Sequence, residues 1–168
     1  MPHAAALLSD FDHEMKSLRR MLERVPAGRW DFRPHERSMT LGGLAGHLAR
    51  IPGWIDAFLE RDAYDLAAGA RPGAQPEPPA GKDEMLAMFD ASCARARAAI
   101  AAASAERLEE PWRLLRGGAV VSLHSRGDAV RRFLIEHGIH HRGQLSVYLR
   151  LLDVPVPALY GASADEPG

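Results

Sequence analysis

Three histidines have the type and spacing that transition-metal chemistry uses: His47, alone in one apolar-rich segment, and His137 with His141, four residues apart in another. Four residues is just over one helical turn, so imidazoles at that spacing stack on one helix face and can converge on a single ion. Each could instead be a core histidine satisfied by a carbonyl, a carboxylate or a buried water, since leaving such a group unsatisfied costs about 1–3 kcal/mol. Three inward-facing imidazoles favour metal binding over three separate accommodations. Three neutral nitrogen donors leave a divalent ion at least one open position, the arrangement of a catalytic site and not of a closed structural one. Zinc is the default ion for a His-only set; nickel, iron and manganese also accept imidazole, and the sequence does not choose among them.

The elements that must position these residues follow from apolar periodicity. Val130, Leu134, His137, His141, Leu145, Tyr148 and Leu152 succeed one another at steps of three or four, the signature of one helix face turned to a core. His140 falls in a mixed row with Phe133, Glu136, Gln144 and Val147 and is not counted as a ligand. His47 lines up with Leu44, Ile51, Trp54 and Phe58, so it too is expected to point inward. Two neighbours are candidate catalytic residues: Tyr148, further along the stripe, as a hydrogen-bond donor to substrate, and Arg142 as an anchor for an anionic group if it turns towards the pocket. Their plain structural readings are a core aromatic and a surface cation.

A first helix is expected from about Ala4 to Arg24, with Leu8, Phe11, Met15, Leu18 and Leu22 inward and Pro26 and Gly28 ending it. On it, Asp12 is a candidate carboxylate partner for a ligating imidazole, and His13 lies off the stripe. Thr40 can cap a second helix reaching about Arg61, which Pro52 bends one turn beyond His47. Residues 69–81, "GARPGAQPEPPAG", read as a flexible surface loop, and a third helix is expected from about Lys82 to Leu108. "WRLLRGGAVVSL" has the form of a β-hairpin turning at Gly117 and Gly118. Ser125, with Asp128 three residues on, can cap the last helix, which runs to about Leu152; Pro155 and Pro157 prevent its continuation and leave residues 153–168 as an irregular tail. The expected architecture is an all-α four-helix bundle in one domain over residues 1–168, with a small hairpin before the last helix and the metal site between the second and fourth helices.

Composition narrows the function classes. The 21 basic and 22 acidic side chains give a formal net charge of −1, so no bulk electrostatic attraction draws the chain to nucleic acid or an anionic membrane. No apolar run approaches the roughly 20 residues that span a bilayer, and no basic-then-apolar leader opens the sequence, which makes a cytoplasmic protein the expectation. The single cysteine, Cys93, shares a row with Leu86, Phe89, Ala96 and Ile100 and reads as a buried core residue in preference to a reactive thiol.

"SMTLGGLAGHLARIPGW" and, late in the chain, "HGIHHRGQLSVYLRLLDVPVPALYGASADE" resemble the DinB/YfiT superfamily of bacterial metalloproteins over about residues 5–166. The isolated helix-two histidine and the H-x-x-x-H-R-G-Q block carry the resemblance. It implies a four-helix bundle, often a homodimer, in which one histidine of the second helix and two of the fourth hold a divalent metal; here these are His47, His137 and His141. Gly138 stands where relatives often have a polar residue. Some members of the superfamily resemble transferases or isomerases that use low-molecular-weight thiols. Together with the open coordination position, the leading expectation is a metal-dependent enzyme that activates water or such a thiol for a small-molecule substrate, hydrolase-like or thiol S-transferase-like. The alternative is a non-catalytic metal-binding protein of a stress or damage response. The family name suggests DNA repair, but the chain has neither a basic groove signature nor the clustered carboxylates of two-metal phosphoryl chemistry.

Overall fold

Helix α1 (Pro2–Glu23) buries Phe11, Met15, Leu18 and Leu22 of the expected stripe, with Leu7 and Met21 beside them, while Leu8 is only half-buried. This computed structural model describes residues 2–68 and 77–167, so positions 69–76 of the expected loop lie outside the described residues. Helix α2 (Leu41–Arg50) begins in a fully satisfied first turn: Leu41 N–H donates to the Phe32 carbonyl at 2.7 Å, Gly42 N–H to the Trp30 carbonyl at 2.9 Å, and the Thr40 hydroxyl accepts from Gly43 N–H at 3.1 Å. Pro52 then enforces the expected interruption. Residues Ile51–Trp54 form a tighter 3₁₀ turn before helix α3 (Ile55–Leu59), because a proline is tolerated only where its missing N–H is not required.

The third expected helix is two helices. α4 (Lys82–Ala102) ends at an extended Ala103, and the Ser104 hydroxyl accepts from Arg107 N–H at 3.1 Å to start α5 (Ala105–Glu109). A serine side chain that captures a backbone amide competes with the helical ladder, which is why the helix does not run through to Leu108.

The sheet is also more than a hairpin. Strands β2 (Pro111–Arg116) and β3 (Ala119–Ser125) pair antiparallel across Gly117 and Gly118, whose φ values of 58° and 81° suit a two-residue turn. A third strand, β1 (Ala63–Asp65), joins β2 in parallel, with Ala63 opposite Arg113 and Asp65 opposite Leu115. The Asp65 carboxylate accepts from Ala67 N–H at 2.8 Å, Gly117 N–H at 2.9 Å and Gly118 N–H at 2.8 Å, tying the third strand to the hairpin turn. Three residues are too short for an alternating pattern to show in sequence.

Ser125 caps the last helical run, its hydroxyl accepting from Asp128 N–H at 3.1 Å. That run is helix α6 (Arg126–Val130), a wide π turn over Arg131–Glu136, and helix α7 (His137–Leu151). α1 and α2 each pack against both α4 and α7, and their buried faces share one core that includes Phe11, Leu44, Phe89 and Leu145. Arg126, 1% exposed, donates to the Phe58 carbonyl at 2.8 Å and to Asp62 at 2.6 Å, joining α6 to the end of α3. The tail beyond Leu152 is irregular but held down: Glu166 pairs with Arg20 at 2.6 Å and Arg24 at 2.7 Å, and Asp165 with Arg150 at 2.5 Å. Among the described residues no helix is long and apolar enough to cross a membrane.

Candidate metal centre

α2 presents His47 from its second turn, and α7 presents His137 and His141 from its first two. One nitrogen of each imidazole lies within 4.8 Å of those of the other two. His47 Nε2 and His137 Nε2 are 3.0 Å apart, and His141 completes the group with ring centroids 4.5 Å from His47 and 4.4 Å from His137. The π turn ends at this point: His137 N–H reaches back five residues to the Arg132 carbonyl. Such wide turns recur at functional sites because one extra residue re-aims the side chains that follow.

The electrostatics keep the cluster uncharged. Burial pulls the His47 imidazole down to about 4, helped by the neighbouring charges of His141, His137 and Arg50. Burial also brings His137 to about 4, with His141 and His140 adding to the effect. His141 is lowered by burial, opposed by its hydrogen bond to Gln144. Neutral rings at neutral pH present lone pairs, as ligands must.

Gln144 defines which lone pair His141 presents. Its amide oxygen is 2.7 Å from His141 Nδ1 and can only accept, so in this contact Nδ1 carries the hydrogen and Nε2 keeps the lone pair that a metal would take. Trp54 walls the cluster, its ring centroid 5.5 Å from those of both His47 and His137. Three neutral imidazoles with no carboxylate or thiolate in the group suit a borderline divalent ion and fit the expected donor set.

The other sequence candidates lie elsewhere. His140 is exposed, as its mixed row indicates. Tyr148 is buried, and its hydroxyl donates to the Met39 carbonyl at 3.0 Å, which commits its proton to holding the connection before α2. Arg142 is not a surface cation: it is 3% exposed, pairs with Glu14 at 2.8 Å and hydrogen-bonds Tyr160, so its guanidinium faces α1 and the tail. Asp12 serves no imidazole but binds Arg97 at 2.9 Å. Cys93 is partly buried, and burial with the Asp90 charge pushes its thiol up to about 12. Sequence reading passed over Gln144 as a partner; the H-R-G-Q run held the signal, since residues three apart on a helix are neighbours.

The chain matches the DinB family model over residues 1–167 and belongs to the DinB family. No curated protein matches it. Two solved structures are similar in fold. A DinB-like protein from Bacillus subtilis shares 18% identity over 92% of this chain and 97% of that one, at a TM-score of 0.67. A DinB-like protein from Bacillus cereus shares 18% identity over 92% of this chain and 95% of that one, at a TM-score of 0.69.

Proposed function

We propose that His47, His137 and His141 hold one divalent transition metal, zinc before nickel, iron or manganese, in a cytoplasmic, single-domain four-helix bundle of the DinB type. On this reading the protein is a metal-dependent enzyme acting on a small molecule, and the family resemblance favours a homodimer. The observation that carries the proposal is the convergence of three uncharged imidazole nitrogens within 4.8 Å, with no fourth protein donor in the group among the described residues. A divalent ion held there supplies Lewis acidity, which lets water or a low-molecular-weight thiol act as a nucleophile near neutral pH. The thiol comes from outside the chain, because the Cys93 thiol is held protonated. Gln144 orients His141, and Trp54 shields one side of the cluster from water.

Elemental analysis tests the centre. The purified protein is expected to carry about one metal per chain, lost in His47→Ala and His137→Ala; unchanged content in either variant removes that residue from the ligand set. Thiol transfer to an electrophile, screened with several low-molecular-weight thiols, is then expected to require the metal. Stoichiometric metal without any metal-dependent transfer or hydrolysis would leave a non-catalytic binding protein.

A further inference from the structure

A cleft of about 440 Å³ opens between the connection before α2 and the segment that leads into α4. Its size is that of small-molecule sites, roughly 300–1,000 Å³. Arg33 and Arg37 line it together with Ser38, Thr40, Gly43 and Glu77. Arg37 lies in a turn closed by Ser38 N–H on the His35 carbonyl at 2.9 Å and by its own N–H on His35 Nδ1 at 3.1 Å, and Arg33 precedes that turn on the same connection. Among the described residues neither guanidinium has an ion-pair or hydrogen-bond partner. The first amides of α2 are already bound to Phe32, Trp30 and Thr40, so the positive character of the cleft comes from the arginines. Arg33 and Arg37 outweigh the single carboxylate of Glu77 among the lining side chains, which suits an anion; the planar guanidinium fork matches a carboxylate.

The cleft reaches α2 at Gly43, one helical turn before His47. Thr40, Gly43 and His47 share one face of α2, and four residues of helix place Gly43 about 6 Å along the axis from His47. A Cβ at Gly43 would meet only the Thr40 hydroxyl at 3.1 Å and Met39 Cβ at 3.8 Å, so the bare glycine leaves this face open. At the other side Arg50, whose charge bears on His47, donates to the Glu77 carbonyl.

We propose that this cleft seats the carboxylate end of the small molecule that the metal centre acts on, with Arg33 and Arg37 gripping the carboxylate and Gly43 leaving a passage to the histidines. This rests on the reading of the cluster as a metal centre. The test uses cobalt(II)-loaded protein titrated with 6-mercaptohexanoate and with 6-mercaptohexanol, a matched pair differing in the carboxylate. Calorimetry reads binding, and the thiolate-to-cobalt absorption band reads contact with the ion. The acid is expected to bind at least tenfold more tightly than the alcohol, and Arg33→Gln/Arg37→Gln is expected to bring the two within twofold without changing the affinity for the alcohol. Equal affinities in the parent protein, or a preference that survives the double substitution, would overturn the cleft assignment even with the band intact. Arginine-dependent binding of the acid without the band upholds the cleft and removes the thiol from the proposed function, whereas no binding of either compound overturns both.

Discussion

Gln144 decides which face of His141 is chemically available, although it is exposed and touches no other member of the cluster. Removing such a hydrogen bond to a ligating imidazole typically costs 10–100-fold in metal affinity. Gln144→Ala is therefore expected to weaken metal binding by about that factor in competition with a chelator, with the helical circular dichroism unchanged. The depressed histidines also set a pH window. Protons compete with metal for the same nitrogens, and His47 and His137 take them up only near pH 4 instead of near 6.5. Metal is thus expected to stay bound as pH falls from 7 to about 5 and to leave as it approaches 4, which equilibrium dialysis would show. The metal-free protein has the linked stability profile: between about 6.5 and 4 the unfolded chain binds more protons than the folded one, so stability falls with falling pH across that window. The three histidines were legible in the sequence because each lies in a strong helical stripe. Arg142 was not, because the partner that buries it, Glu14, is 128 residues away and leaves no local pattern.

At the scale of elements, α2 carries His47 while two other segments close tightly over it. A Cβ on Gly42 would lie 2.5 Å from the Trp30 ring, and one on Gly46 2.5 Å from Pro79 Cδ, while Trp30 donates its indole N–H to the Pro79 carbonyl at 2.9 Å. Alanine ordinarily improves a helix over glycine by about 1 kcal/mol. At Gly46 the displacement of a buried proline ring outweighs that gain, and Gly46→Ala is expected to lose about 1–2 kcal/mol. Gly143, with nothing within 4 Å of its would-be Cβ, provides the contrast: Gly143→Ala is expected to gain about 0.5–1 kcal/mol. Urea denaturation reads both, and equal signs would show that packing at Pro79 does not decide the outcome. The Thr40 cap and the Pro52 interruption were visible in advance because capping and proline chemistry are local. The break at Ser104, the π turn and the β1 strand were not, since each is settled by competition between backbone partners that periodicity does not rank.

At the scale of the whole molecule, the irregular tail behaves as a strap. Tyr160 donates to Glu14 at 2.8 Å, stacks over His13 at 6.0 Å between centroids and lies under the Arg142 guanidinium, while Glu166 ties down Arg20 and Arg24. Exposed ion pairs contribute little singly, about 0–1 kcal/mol each. Deleting residues from 159 onward is expected to cost about 1–2 kcal/mol and to lower Tm by about 3–6 °C, without altering metal content. No shift in Tm would make the strap ornamental. Proline and glycine content marked the tail as irregular but could not reveal its charge pairing across more than a hundred residues. One further consequence concerns time. His137 and His141 meet as soon as α7 coils, an event of about a microsecond, but His47 stands 90 residues away along the chain. Its arrival waits on the slow closure of that loop. The third nitrogen is thus a late event in folding, so an ion held by all three records that the chain has finished folding and does not guide it there.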